Sequence, residues 1–207
     1  MKTLHFSILL AVVSISLSVH GQGTTFVYDQ QSATNRTLGP QAAPIQEDQP
    51  MGQSFTPSMA GVGFVQFEFL DFHPTNGLGA TVFVNLLADS ISGNILGSTA
   101  PVFMPDGFNF GITNFFFPTT ITLTPGTTYY LQPVVQSGDD PWDIINGNFG
   151  YAGGTFYVGG APHPDDLDLW FREGVVAPEP SSALLILIGA GVLTYVRRRH
   201  IRMRSLA

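Results

Sequence analysis

Alternation of apolar and polar side chains, rather than helical spacing, dominates the middle of this chain. Every second residue from Ala80 to Ala88 is apolar, and the segments 65–70 and 127–135 alternate in a similar way. Further strand candidates are residues 53–56, 115–117, 121–123, 154–158 and 167–172. Eight or more short strands predict an all-β domain, an antiparallel β-sandwich with jelly-roll connectivity.

Turn-forming pairs such as Asn76-Gly77 and Pro125-Gly126 separate these candidates. Residues 36–50 are rich in Pro, Gln and Ala and are predicted to form a loop. Pro133, inside a strand candidate, predicts an edge strand or a bulge because it cannot donate a backbone hydrogen bond. Residues 123–131 resemble a strand–turn–strand segment of bacterial extracellular β-sandwich modules, several of which bind sugars, and this likeness supports the fold alone.

The N-terminal end has the three parts of a signal peptide. Lys2 gives the positive start, residues 6–19 form an apolar stretch broken by serines, and Val19-His20-Gly21 gives a signal peptidase site. We therefore predict a signal helix within residues 1–21 and a mature chain beginning at Gln22. A buried N-terminal helix is the alternative.

The C-terminal end predicts a single transmembrane helix at about residues 181–196. Sixteen helical residues span roughly 24 Å, slightly less than a bilayer core of about 30 Å, and long basic side chains reach the remaining distance. A basic cluster at residues 197–204 places the C-terminus in the cytoplasm. The cluster consists of Arg197, Arg198, Arg199, Arg202 and Arg204. A buried core helix is the alternative, but it gives no reason for this cluster.

The same tail carries Pro178-Glu179-Pro180, then the hydrophobic run, then the arginines. This arrangement resembles the PEP-CTERM sorting signal, a Gram-negative counterpart of sortase-type tails. The resemblance covers residues 178–207 and implies recognition and cleavage by an exosortase, a membrane enzyme, and a location associated with exopolysaccharide at the cell surface. The two prolines also favour an extended, rigid spacer, and both interpretations can hold together.

Residues 22–177, between the two ends, suit one extracytoplasmic domain. The chain of 207 residues contains no cysteine, which is compatible with a bacterial envelope protein. Only Arg36 and Arg172 oppose fourteen acidic side chains between Asp29 and Glu173. A domain of this charge repels nucleic acid and anionic lipid, and it attracts divalent cations.

Two acidic clusters are candidate calcium sites, since calcium prefers several oxygen ligands. The first comprises Asp139, Asp140 and Asp143, and the second Asp165, Asp166 and Asp168. Neither has the spacing of an EF-hand loop, and solvated acidic loops are the alternative.

Four aromatic residues are candidates for a sugar-stacking platform, because an exposed ring offers an apolar face with a polar edge. They are Trp142, Tyr151, Tyr157 and Trp170. Packing in the core is the alternative.

Catalytic motifs are missing from the sequence: it has no His-Glu-x-x-His, no phosphate-binding loop and no complete Gly-x-Ser-x-Gly. We therefore predict an exported, non-enzymatic structural or adhesion protein of the cell envelope or extracellular matrix. A carbohydrate-binding module for exopolysaccharide is the second hypothesis. A polysaccharide hydrolase is the third, with Glu68 and Asp71 as its paired acids.

Overall fold

The computed structural model describes residues 25–35 and 41–177, together with Gly189 and Gly191. Residues Phe26–Val176 form one compact unit, and the two ends, Met1–Thr25 and Ala177–Ala207, are grouped as a second. Both predicted flanking helices lie outside the described residues, apart from these two glycines. Within the described residues, no helix has the length and apolar character needed to cross a bilayer. The boundaries 22–177 stay a prediction.

Strands make up the described part of the chain, and they form two antiparallel sheets. This confirms the all-β prediction. The strands are β1 (Thr25–Gln31), β2 (Gln41–Pro44), β3 (Gly52–Phe55), β4 (Gly61–Asp71), β5 (Ala80–Ala88), β6 (Ile95–Ser98), β7 (Val102–Met104), β8 (Gly111–Thr122), β9 (Tyr129–Gly138), β10 (Trp142–Gly147), β11 (Phe156–Val158), β12 (Ala161–Pro162), β13 (Asp168–Leu169) and β14 (Phe171–Ala177).

The first sheet is built around β4. One edge of β4 pairs with β8, and the other pairs with β14 along its first half and with β10 at its end. β1 lies beyond β14, while β2 and β13 pair with β10. The second sheet has the order β12-β11-β3-β9-β5-β6, and β7 pairs with β5 as well.

Both sheets contribute to one hydrophobic core, which gives the domain a sandwich-like arrangement. Phe67 and Phe69 from β4 lie in the same core as Val82, Val84 and Leu86 from β5, and all five are fully buried. Burial of each such side chain stabilises the fold by about 1.5–3 kcal/mol. The jelly-roll connectivity stays a prediction.

The predicted strand 80–88 has the bounds of β5. The predicted Pro125-Gly126 turn is also present, with Gly126 at φ +79° and Thr127 N–H donating to the Thr124 carbonyl at 3.2 Å. Only glycine adopts this backbone conformation without strain.

One prediction is wrong. Residues 36–50 are predicted to be loop, but Gln41–Pro44 form β2 by pairing with residues 143–146 of β10. The predicted bulge is present near Pro133: β9 lies between β3 and β5, and its register against β5 shifts between Val135 and Ser137. β3 pairs only with residues 129–131, so Pro133 lies past the end of that ladder and needs no N–H there.

Candidate functional site

The two tryptophans of the predicted sugar platform are both fully buried. Trp142 lies in the core, with its ring centroid 6.1 Å from that of Phe108. The indole N–H of Trp170 donates to the Asn35 carbonyl at 3.0 Å, and the Arg172 guanidinium lies 4.7 Å from the Trp170 ring centroid. Neither ring offers a face to a sugar, so these two residues do not form the platform predicted from the sequence.

The two tyrosines of that set are half-buried and belong to different surroundings. Tyr151 donates its hydroxyl to Gln30 Oε1 at 3.0 Å and packs edge-on against Phe171. Burial, with a smaller effect of nearby carboxylates, raises the pKa of Tyr151 to about 12. Tyr157 lies on β11, where its ring packs edge-on against Tyr130 at 5.4 Å.

A cleft of about 360 Å³ brings Tyr151 together with part of the second acidic cluster. It is lined by Gly150, Tyr151, Ala152, Gly154, Asp166 and Asp168. Asp165 and Asp166 are exposed, whereas Asp168 is buried, and burial raises its pKa. The two Asp168 oxygens accept hydrogen bonds from Gln53 Nε2 and Tyr151 N, each at 3.0 Å. These bonds give Asp168 a structural role at the base of the cleft.

The first acidic cluster is spread between the surface and the first sheet. Asp143 alternates with two core residues of β10 and is buried, while Asp140 is exposed. Burial and the like charges of Glu47 and Asp48 raise the pKa of Asp143 to about 6. Asp139 Oδ2 accepts a hydrogen bond from Asn76 Nδ2 at 2.5 Å. In residues 25–35 and 41–177, no three His, Cys, Asp or Glu side chains are grouped as metal ligands. Calcium binding by either cluster stays a prediction.

Sequence reasoning did not find the carboxyl pair of Asp29 on β1 and Glu173 on β14. Glu173 is fully buried, and its Oε1 accepts a hydrogen bond from Gln30 N at 3.1 Å. Burial and the neighbouring Asp29 carboxylate raise the pKa of Glu173 to about 8, so its side chain is mostly protonated at pH 7. No local sequence signal could reveal this pair, because the two residues lie at opposite ends of the domain.

Asp29 itself holds the backbone at residues 58–59. Burial alone would raise its pKa, but hydrogen bonds from the Ser58 side chain and from the backbone of Met59 and Ser58 outweigh burial and lower it. Its Oδ2 accepts from Ser58 N at 2.9 Å and from Met59 N at 2.8 Å. Of these two neighbouring carboxyl groups, Glu173 therefore holds the proton and Asp29 is ionised.

The second sheet differs from the first in charge. Its strands contain no Asp, Glu, Lys, Arg or His, whereas the strands of the first sheet carry seven acidic or basic residues. These seven are Asp29, Glu68, Asp71, Asp143, Asp168, Arg172 and Glu173. This asymmetry could be found once the strands were assigned to sheets, but the sequence does not say which strands share a sheet.

A ladder of hydrogen-bonded polar side chains crosses the outer face of the second sheet, from β6 over β5 and β9 to the loop before β3. Ser98 Oγ donates to Asn85 Oδ1 at 2.6 Å, and Asn85 Nδ2 donates to Gln132 Oε1 at 3.1 Å. Gln132 Nε2 donates to Gln49 Oε1 at 3.1 Å. Tyr130 lies on the same face, because Tyr129 and Leu131 point into the core and strand side chains alternate.

The predicted sorting residues Pro178, Glu179 and Pro180 and the basic cluster lie outside the described residues. β14 ends at Ala177, immediately before them. The motif therefore directly follows the last strand along the chain.

Comparison with known proteins supports the interpretation of this tail. A family model described as the PEP-CTERM protein-sorting motif matches residues 176–199. No curated protein matches the chain. The matched segment contains Pro178-Glu179-Pro180, the apolar run and the first three arginines of the basic cluster. The chain thus carries a PEP-CTERM sorting motif behind an all-β domain, and this motif indicates an exported, exosortase-processed protein associated with the cell surface or membrane.

Proposed function

We propose that this protein is a non-enzymatic structural or adhesion module of the cell envelope. After export, removal of the signal peptide by signal peptidase and processing by an exosortase, its β domain stands at the cell surface or in the extracellular matrix. Without processing, its C-terminal helix anchors it in the membrane. The observation that carries the proposal is the sorting motif at residues 176–199, directly behind the last strand of a compact all-β unit.

The hydrogen bonds of the buried carboxyl groups support a structural role for the domain. Asp71 accepts from His73 N at 2.9 Å and from Gly107 N at 2.8 Å. Asp106, half-buried nearby, accepts from Thr75 N at 2.8 Å and from Gly77 N at 2.9 Å. Each of these carboxylates holds loop backbone in place, which is what a rigid surface module needs.

Replacement of the motif tests the sorting part of the proposal. We expect the variant Pro178→Ala, Glu179→Ala, Pro180→Ala to remain in the membrane fraction at full tail length, because an exosortase recognises the tail through this motif. Fractionation and immunoblotting measure this. The matched control is Ser181→Ala, Ser182→Ala, which alters the adjoining residues and should be processed normally. Normal processing of the triple variant would contradict the proposal.

Attachment tests the adhesion part. Cells without the protein should attach to surfaces or build matrix less well, and the full chain should restore the defect. A chain with the tail but without residues 26–176 should not restore it. Restoration by the tail alone, or the lack of any defect, would count against an adhesive or structural domain.

Two alternative functions remain open. A carbohydrate-binding module is the second candidate, and it needs a surface other than the two buried tryptophans. A polysaccharide hydrolase is the third. Turnover of a glycan panel by the purified chain, abolished by Glu68→Gln, would replace the non-enzymatic proposal with this one.

A further inference from the structure

We propose that the outer face of the second sheet binds an uncharged polysaccharide chain, with Tyr130 and Tyr157 stacking against sugar rings and Gln132 of the Gln132–Asn85 ladder hydrogen-bonding the sugar hydroxyls. The proposal deepens the surface role proposed above and rests on it for the source of the ligand.

The charge distribution selects a neutral ligand. Fourteen acidic side chains lie between Asp29 and Glu173, yet none belongs to a strand of the second sheet. Asp89, which is exposed in the loop after β5, is the acid that acts on Tyr130 electrostatically. An anionic polysaccharide would meet repulsion from Asp89 and from the acidic domain as a whole, whereas a chain of neutral sugars meets none.

The aromatic part of the face has the geometry that a sugar ring uses. Tyr130 and Tyr157 are half-buried and meet edge-on, with an interplanar angle of 80°. Gly52 lies opposite Tyr157 in the register, and the buried Ile91 side chain occupies the place where a side chain of Gly52 would point. The C–H faces of a sugar pack against an aromatic plane, and the hydroxyls of Tyr130 and Tyr157, which hydrogen-bond to each other, keep lone pairs for further polar partners.

The polar part of the face is fixed in advance of binding. In the ladder, Asn85 and Gln132 each use one N–H and one lone pair for their neighbours. A side-chain amide has two N–H groups and two lone pairs, so the half-buried Gln132 has capacity for a hydroxyl partner, whereas Asn85 is buried and holds Gln132 in place. Their orientations are held by the ladder, which lowers the entropy lost on binding.

The extent of the ladder favours a chain of sugars over a single ring. β6, β5 and β9 are adjacent strands, and two strand spacings amount to about 10 Å. Phe83 and Val134, which pair across β5 and β9 next to the ladder, add half-buried apolar surface to the same face.

Binding to defined polysaccharides tests the proposal directly. The full chain, purified in a detergent without sugar groups, is incubated with beads of cellulose and of galactomannan. Beads with covalently attached alginate, in a buffer without calcium, serve as the anionic probe. We expect retention on at least one neutral polymer, weak dependence on salt, and no retention on alginate. Tyr157→Ala and Gln132→Ala should each weaken retention at least tenfold. Tyr28→Ala, an exposed tyrosine of the first sheet, is the matched control and should leave retention unchanged.

Melting temperatures separate loss of binding from loss of fold. If Tyr157→Ala is poorly folded, Tyr157→Leu keeps apolar volume and removes the ring and hydroxyl. Lack of retention of the wild-type chain on both neutral polymers, equal retention on alginate, or equal weakening by Tyr28→Ala would each overturn the proposal. Because the purified chain is used, these outcomes do not affect the sorting result, and a sorting defect does not affect this assay.

Discussion

At the scale of single residues, this acidic domain buries several carboxyl groups without a basic partner for each. Burial of a charge is costly unless it is hydrogen-bonded or neutralised. Asp168 is hydrogen-bonded, with donors to both of its oxygens. Glu173 is neutralised, because it is protonated beside the ionised Asp29. Each solution leads to a measurable prediction.

The neutral state of Glu173 predicts that the domain loses stability as the pH rises. The pKa of Glu173 is raised from 4.5 to about 8, so the folded state binds this proton more tightly than the unfolded state does. Its stabilising effect is complete below pH about 4.5 and is lost as the pH rises through about 8. Glu173→Gln, which stays neutral, should therefore be more stable than the wild type at pH 8.5 by about 1–3 kcal/mol. Thermal melting from pH 5 to 9 measures this.

Asp165→Asn is the control, because Asp165 is exposed. It should follow the pH profile of the wild type. If Glu173→Gln follows that profile as well, Glu173 is already ionised in the folded protein and the account of the pair is wrong.

Replacement of Gln53, a single neutral side chain, is predicted to have a large effect on the stability of the domain. It is fully buried in β3 and links the two sheets, donating to Asp168 Oδ1 at 3.0 Å and accepting from Leu169 N at 2.7 Å. Gln53→Ala leaves two buried groups without partners and should lower the free energy of unfolding by about 2–4 kcal/mol. Denaturant titration measures this change in the free energy of unfolding. Gln136→Ala, an exposed glutamine in β9, should cost less than about 0.5 kcal/mol, and equal losses would refute the cross-sheet role.

At the scale of elements, a close approach in the first sheet depends on glycine. A Cβ atom at Gly174 of β14 would overlap the carbonyl oxygen of Val27 in β1. The bare backbone there lets Phe26 reach Phe64 on β4, with ring centroids 4.5 Å apart. The pairing of the first and last strands of the domain therefore requires this residue.

Gly174→Ala is predicted to loosen β1. The added methyl group must push Val27 away, so we expect a lower melting temperature and faster proteolysis within β1. Gly63→Ala on β4 is the matched control, since its nearest contact would be an ordinary 3.4 Å. Unchanged proteolysis of β1 in Gly174→Ala would contradict the close packing.

Sequence patterns predicted the strands with the clearest alternation and missed several short strands. β5 and β9 alternate clearly, and both were expected from the sequence. β2 and β10 were missed, because their residues form strands by pairing with each other and not through an alternating pattern of their own. The candidate platform failed for a related reason: an indole at a strand position can face either way, and both tryptophans are buried. The Gln132–Asn85 ladder depends on which strands are neighbours, which no single segment encodes.

At the scale of the whole molecule, the sorting motif and the uneven charge of the two sheets point to one role. The motif indicates a surface protein processed by an exosortase. In our proposal, the charged sheet and its loops keep the domain soluble and repel polyanions, while the neutral sheet meets matrix polysaccharide. Retention on neutral beads should accordingly change little between about 0.05 and 0.5 M NaCl, because screening acts on charges that this contact does not use. A steep loss of retention with salt would assign the contact to charged groups instead.

The most direct test of the central claim, export followed by removal of the tail, is the intact mass of the protein recovered from the cell surface and matrix. The account predicts a chain that begins at Gln22 and ends near Pro178–Pro180. A chain of all 207 residues, found dissolved in the cytoplasm with both ends intact, would contradict it.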